Sequence, residues 1–354
     1  MSEPRHTVGT SPETIQMLQP LLTMLTQVTC QAGLGVDAML DIMSRTFDPC
    51  FHAALARSEV SHPHLREAVY RRLVKFIQRD EQVPTAVTID INEVHVNYAV
   101  ELGVGSYATV YHGVFRGQEV AIKVPHNNRQ WSRKAILKEL VFGLLLHHPH
   151  ILQSLGALDL SKPRIVTPFM SHGHIGSYIR SAKPDLPSIY RLISEIAAGV
   201  AYMHSLKIVH GDLRVPNILV DNAGHVRISD FGKAGFNGST APSSAADMLG
   251  APGYIAPELA VAPDDRDLDN PLVFSRPSLP SDIFAFGSAC YEILAGSPPF
   301  SGIYPPRVYV LVHIGRRAPR VTGIPDDIWN LICVCWKHIP SERPTALDVV
   351  RQIQ

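Results

Sequence analysis

Residues 210–232 read HGDLRVPNILVDNAGHVRISDFG, and this stretch decides the fold. It holds His210, Asp212, Asn217 and then Asp230-Phe231-Gly232, so two acids and an amide bracket an apolar strand pair. Carboxylate and amide oxygens are hard donors suited to Mg²⁺, which takes one or two of them and leaves its other positions to phosphates and water. Asp212 is therefore a candidate to accept or orient a hydroxyl proton. Asn217 and Asp230 are candidates to hold Mg²⁺ on ATP.

Upstream, ELGVGSYATVYHGVFRGQEVAIKV (101–124) sets Gly103 and Gly105 between two alternating apolar runs. Glycine lets backbone N–H groups approach a phosphate with no side chain in the way, although two glycines in a hairpin turn are common. Lys123 ends an apolar run, where a lysine is usually a surface residue, but here it can reach back under the glycine turn. KAILKELVFGLLLHHPHIL (134–152) predicts a helix carrying Glu139. That acid is either a surface residue of an amphipathic helix or the partner that holds Lys123 on the α and β phosphates. Ala256-Pro257-Glu258 follows the Asp230 turn.

Glycine turn, lysine, helix acid, His-x-Asp-Leu-x-x-x-Asn, Asp-Phe-Gly and Ala-Pro-Glu in this order resemble the eukaryotic protein kinases from about residue 95 to 354. The chain looks most like the tyrosine-kinase-like branch of Ser/Thr kinases, and its His-Gly-Asp opening is similar to kinases of mushroom-type fungi. The resemblance implies an α+β, bilobal fold with a small β-rich N-lobe and a larger helical C-lobe. It implies Mg-ATP-dependent transfer of the γ-phosphate to Ser/Thr hydroxyls of protein substrates in intracellular signalling. Asp212, Lys123, Glu139 and Arg214 would be catalytic. Gly103, Gly105, Val110, Ala121, Lys123, Thr167, Met170 and Leu219 would bind ATP, with Thr167 the gatekeeper and Met170 in the hinge. Asn217 and Asp230 would hold Mg²⁺. Asp282 would brace the catalytic loop, and Arg343 would pair with Glu258.

Some positions depart from the family pattern. Gly211 replaces an arginine that ordinarily pairs with a phosphorylated activation-loop residue, so control by Ser239, Thr240, Ser243 or Ser244 should not act through that clamp. Arg214 stands where Ser/Thr kinases have lysine, and Ala251 replaces a threonine that bonds Asp212 and its basic neighbour. Gly143, one turn after Glu139, should leave a gap and weaken its helix by about 1 kcal/mol against alanine. These changes keep two alternatives open: a pseudokinase scaffold that binds nucleotide without efficient transfer, and a tyrosine-directed kinase.

Outside this region the signals are weaker. Residues 1–83 read as helical, with apolar stripes such as Leu65, Val69, Leu73 and Ile77. The basic run beside that stripe is either a solvated face or a docking face for an acidic partner. Residues 84–94 read as linker or strand and 95–354 as the kinase domain. Lys+Arg and Asp+Glu each number 32, and a net charge of zero argues against a nucleic-acid or polybasic membrane surface. Five cysteines, an odd number in a large chain, argue against a disulfide framework, and Cys333 and Cys335 are expected as buried thiols. No basic-then-apolar leader opens the chain, and 21–36 is too short and polar to span a bilayer, so the expected setting is cytoplasmic, with the nucleus as alternative.

Overall fold

Apolar residues alternate along 94–125, and the chain there pairs as antiparallel strands. β1 (Val94–Val104) runs against β2 (Ala108–Phe115), and β2 against β3 (Gln118–Pro125). Arg116 and Gly117 close the second hairpin at φ of 48° and 78°. A two-residue primed turn requires positive φ at both positions, and its twist matches that of the strands. β4 (Gly156–Leu158) and β5 (Arg164–Pro168) complete a five-stranded sheet in the order β1-β2-β3-β5-β4. In this computed structural model the described residues are 88–105, 108–126, 133–159, 162–238, 251–261, 273–274 and 276–353. The readings of 1–83, and the phosphosite stretch from Ser239 to Ser244, lie outside them.

Between β3 and β4 runs helix α1 (Arg133–Leu145). Ile136, Leu137, Leu140, Val141, Phe142 and Leu145 are all buried, so apolar residues occupy nearly its whole circumference. A helix with that pattern lies inside a core rather than on a surface. The helical lobe follows: α2 (Ile175–Ala182), α3 (Leu186–Ser205), α4 (Leu279–Ala295), α5 (Pro305–His313), α6 (Asp326–Cys335) and α7 (Ala346–Ile353). α4 forms its centre, with Ile283, Phe284, Phe286, Ala289 and Cys290 buried. A Ser278–Ser281 capping box starts α4, and Gly296 at φ 74° ends it. Two short antiparallel strand pairs, one enclosing the other along the chain, frame the candidate loops. β6 (Ile208–Val209) pairs with β9 (Gly235–Phe236), and β7 (Ile218–Val220) with β8 (Val226–Ile228). This is the α+β, bilobal arrangement expected from the resemblance. Among the described residues no helix is long and apolar enough to cross a membrane.

Two local expectations need correction. Within 84–94, read as linker or strand, Ile91 does not belong to the strand. Ile91–Glu93 is a 3-10 turn because the Asp90 carboxylate accepts the Asn92 N–H at 2.9 Å, and the strand starts at Val94. Cys333 is exposed, whereas Cys335 is buried. The buried stripe of α6 is Ile328, Leu331, Ile332 and Cys335, and residue 333 falls off that helical face. Val273–Phe274 pairs antiparallel with Ala260–Val261.

Candidate active site

The loop between β6 and β7 is held from below by one carboxylate. Asp282, in the first turn of α4 and 2% exposed, accepts from the backbone N–H of His210 at 2.7 Å and of Gly211 at 3.0 Å. His204 Nε2 lies 3.1 Å from the same carboxylate. A buried charge needs such donors, and here they are the loop backbone itself. His210 Nδ1 accepts the Asp212 N–H at 3.2 Å, and Nε2 faces the Ser229 carbonyl at 3.0 Å. A carbonyl can only accept, so the imidazole proton sits on Nε2. Asn217 Nδ2 donates to the Asp212 carbonyl at 2.8 Å and to Asp212 Oδ2 at 3.3 Å. That orientation commits the amide nitrogen to Asp212 and leaves Oδ1 as an oxygen donor.

The β7–β8 hairpin brings Asp230 back to Asn217. Ile218 pairs with Ile228, and Ser229 donates to the Asn217 carbonyl through N–H at 2.8 Å and Oγ at 2.9 Å. Asp230 has φ 63° and ψ 75°, a left-handed conformation that costs a non-glycine residue free energy and is held by the surrounding packing. Phe231 is buried, its ring centroid 5.6 Å from that of His210.

Lys123 reaches across from β3. Its Nζ donates to Glu139 Oε1 at 2.7 Å and to Asp230 Oδ1 at 3.3 Å. Glu139 is 7% exposed, so of its two readings the structure selects the partner of Lys123 rather than a surface acid. Burial pushes Lys123 down, but the carboxylates of Glu139 and Asp230 outweigh it and hold the ammonium above its ordinary range. Burial pushes Glu139 up to about 7 against the pull of Lys123, and the nearby Asp230 carboxylate adds to the rise. Burial also raises Asp230, but the Lys123 ammonium outweighs it and keeps its carboxyl below the usual range.

The remaining candidates lie at the end of β1, on β2, β3 and β5, just after β5, and on β7. Gly103 stands opposite Val110, which pairs in turn with Lys123, and Gly105 N–H donates to the Ala108 carbonyl at 2.8 Å. Ala121 pairs with Thr167 on β5. The Met170 carbonyl accepts the Gly173 N–H at 2.9 Å, and Leu219 bridges to His174. Val110, Ala121, Thr167, Met170 and Leu219 are each partly exposed. Leu102 and Val104, apolar and exposed on either side of Gly103, escaped the sequence reading because an alternating strand usually turns such residues inward.

Arg214 Nε lies 3.7 Å from Asp212 Oδ2, buried and without a hydrogen-bond partner among the described residues. Lys233 Nζ lies 3.5 Å from Asp212 Oδ1 and was also missed, since a lysine opening a polar loop carries no signal of its own. Arg343 makes the expected pair: Nη1 and Nη2 donate to the two oxygens of Glu258 at 2.7 and 2.6 Å.

Two departures look different in three dimensions. Gly143 leaves no gap. A Cβ built there would stand 2.2 Å from Ser154 Oγ, and Ser154 N–H donates to the Gly143 carbonyl at 2.9 Å. Ser154 occupies the space a larger side chain would take. Ala251 has no side chain to bond Asp212, but the turn it begins, Pro252–Tyr254, is tied to the loop by Tyr254. The Tyr254 hydroxyl accepts the Val215 N–H at 3.3 Å and donates to Glu292 Oε2 at 2.5 Å. Burial and then the Glu292 carboxylate hold that phenol protonated well above its ordinary range.

A family model described as protein tyrosine and serine/threonine kinase matches residues 96–353. The chain is 30% identical over 288 residues to the dual specificity protein kinase shkB of Dictyostelium discoideum, covering 77% of this chain and 42% of that protein. It is 28% identical over 273 residues to the serine/threonine-protein kinase STY46 of Arabidopsis thaliana, covering 75% and 45%. It is 30% identical over 256 residues to the tyrosine-protein kinase Abl of Drosophila melanogaster, covering 70% and 15%. The chain thus spans less than half the length of these curated relatives.

Proposed function

Because the chain belongs to the protein tyrosine and serine/threonine kinase family, we propose that it is an Mg-ATP-dependent enzyme that phosphorylates serine and threonine hydroxyls of proteins. The observation that carries this reading is the pairing of Lys123 with Glu139 at 2.7 Å and with Asp230 at 3.3 Å, beside an Asp212–Asn217 loop already braced by Asp282. The donor set fits Mg²⁺: one carboxylate and one amide oxygen, with room for phosphate oxygens. When bound, Mg²⁺ neutralises charge on the phosphates. Lys123, steadied by Glu139, would grip the α and β phosphates under the Gly103–Gly105 turn. Asp230 and Asn217 would hold the metal, and Val110, Ala121 and Leu219 would enclose the adenine, with Thr167 and Met170 at its edge. Asp212 would orient the acceptor hydroxyl and take its proton as that oxygen bonds to phosphorus and the bond to the ADP oxygen breaks. Arg214 would supply positive charge beside the transferred group.

The Ser/Thr assignment rests on the layout Gly250-x-x-x-Tyr254-x-Ala256-Pro257-Glu258. The relatives include dual-specificity, serine/threonine and tyrosine kinases, so the acceptor is part of the proposal. Placement in the tyrosine-kinase-like branch, the fungal character of the His-Gly-Asp loop, a docking role for 1–83 and a cytoplasmic setting belong to the same reading. The pseudokinase alternative is disfavoured by the intact Lys123, Glu139, Asp212, Asn217 and Asp230 set, which a scaffold has no chemical need to assemble. The test is incubation of the purified chain with Mg-ATP and a basic protein substrate, with phosphates mapped by mass spectrometry. Lys123→Met and Asp212→Asn run alongside. Phosphoserine or phosphothreonine that vanishes in both variants is the expected result. Phosphotyrosine alone would overturn the acceptor assignment, and nucleotide binding without transfer would favour the scaffold.

A further inference from the structure

Lys233 follows the Asp230-Phe231-Gly232 turn and meets the catalytic loop twice. Its backbone lies against Gly211: a Cβ on Gly211 would stand 3.0 Å from the Lys233 carbonyl oxygen, and Gly211 itself has φ 74°. Its ammonium lies 3.5 Å from Asp212 Oδ1, while Arg214 Nε lies 3.7 Å from Oδ2. Each oxygen of the carboxylate therefore faces one cation. At 3.5 and 3.7 Å both contacts are longer than an ordinary hydrogen bond, so the carboxylate is steered without losing its capacity to accept a hydroxyl. Two residues further on, Gly235 pairs with Val209 just before His210, which fixes the backbone that carries Lys233. Position 211 has no side chain with which to grip a phosphate, and Lys233 brings a cation to the same loop from the 3-10 turn Phe231–Lys233.

We propose that Lys233 is a positioning residue for phosphoryl transfer, tying the segment after Asp230 to the catalytic loop and steering Asp212, so that the loop is set without a phosphorylated side chain. This rests on the kinase reading. The experiment uses the full chain as wild type, Lys233→Met and Lys233→Arg, each before and after phosphatase treatment, with kcat and KM for ATP measured separately. Phosphatase should change the wild-type kcat by less than about twofold, because no phosphate is part of the clamp. Lys233→Met should lower kcat by roughly tenfold with the KM for ATP within about twofold, the split expected when a contact acts on the reacting group rather than on nucleotide binding. Lys233→Arg should recover kcat to within about threefold of wild type, since it restores the charge. A Lys233→Met kcat equal to wild type, a Lys233→Arg protein as poor as Lys233→Met, or a wild type silenced by phosphatase would each overturn the proposal. A wild type that binds ATP but transfers nothing overturns the kinase reading as well, a pattern distinct from an active wild type indifferent to Lys233.

Discussion

Filling position 143 should destabilise this protein, although a helix interior ordinarily favours alanine over glycine by about 1 kcal/mol. Gly143 lies in α1, one turn beyond Glu139. An alanine Cβ there would meet Ser154 Oγ at 2.2 Å, Ser154 Cβ at 3.1 Å and Ser154 N at 3.4 Å. Rotation about χ1 of Ser154 relieves the first contact. It cannot move Cβ, whose place is set by a backbone bonded to the Gly143 carbonyl at 2.9 Å. Forcing one extra methyl into a filled core costs about 1–3 kcal/mol. Against the propensity gain, Gly143→Ala should lose about 0–2 kcal/mol, and Gly143→Leu roughly 3 kcal/mol or more. Urea unfolding of both variants, with kcat measured in parallel, gives the two readouts. Combining Gly143→Ala with Ser154→Gly removes Oγ and Cβ together, so the cycle should show a favourable coupling of about 1–2 kcal/mol. A Gly143→Leu protein more stable or more active than wild type would refute the reasoning, because it would mean that the site holds a void.

Gly211→Ala forces an L-residue to φ 74° with its Cβ 3.0 Å from the Lys233 carbonyl; a stability loss of about 1–2 kcal/mol by denaturant unfolding is expected, and an unchanged midpoint would remove the strain argument. Arg343, with a side chain 0% exposed, grips both oxygens of Glu258. Arg343→Ala should cost roughly 3–5 kcal/mol, and Arg343→Lys, a single point charge, should recover only part of it; calorimetric melting checks both. Because burial holds Glu139 at about 7, kcat/KM for ATP should fall as pH drops through that value and Glu139 releases Lys123. The same group binds a proton more tightly folded than unfolded. Its contribution to stability is present below the ordinary 4.5 and is lost as pH rises through about 7. A kcat/KM flat from about pH 6 to 8 would contradict the assignment.

The candidate catalytic loop could be read from the chain because its parts are close in sequence. Asp212 and Asn217 share one loop, and a single apolar hairpin returns the chain to Asp230, so backbone continuity alone confines them. The glycine turn and Lys123 were legible for the same reason, lying on consecutive antiparallel strands. Glu139 was not decided by its own stretch. A helix acid reads as surface until the surrounding residues are seen to bury nearly the whole of α1. Gly143 was misread, because what fills its space is Ser154, beyond the end of that helix. Lys233 was silent because a lysine opening a polar loop carries no signal of its own, and Tyr254 because it acts on a loop 39 residues away along the chain. What the chain by itself determined was the inventory of reactive groups and the short hairpins that group them, because covalent connection over a few residues restricts where they can go. Only the tertiary structure decided which acid meets Lys123, which cations face Asp212 and what Gly143 leaves room for, because those distances are set by packing between segments that no local pattern links.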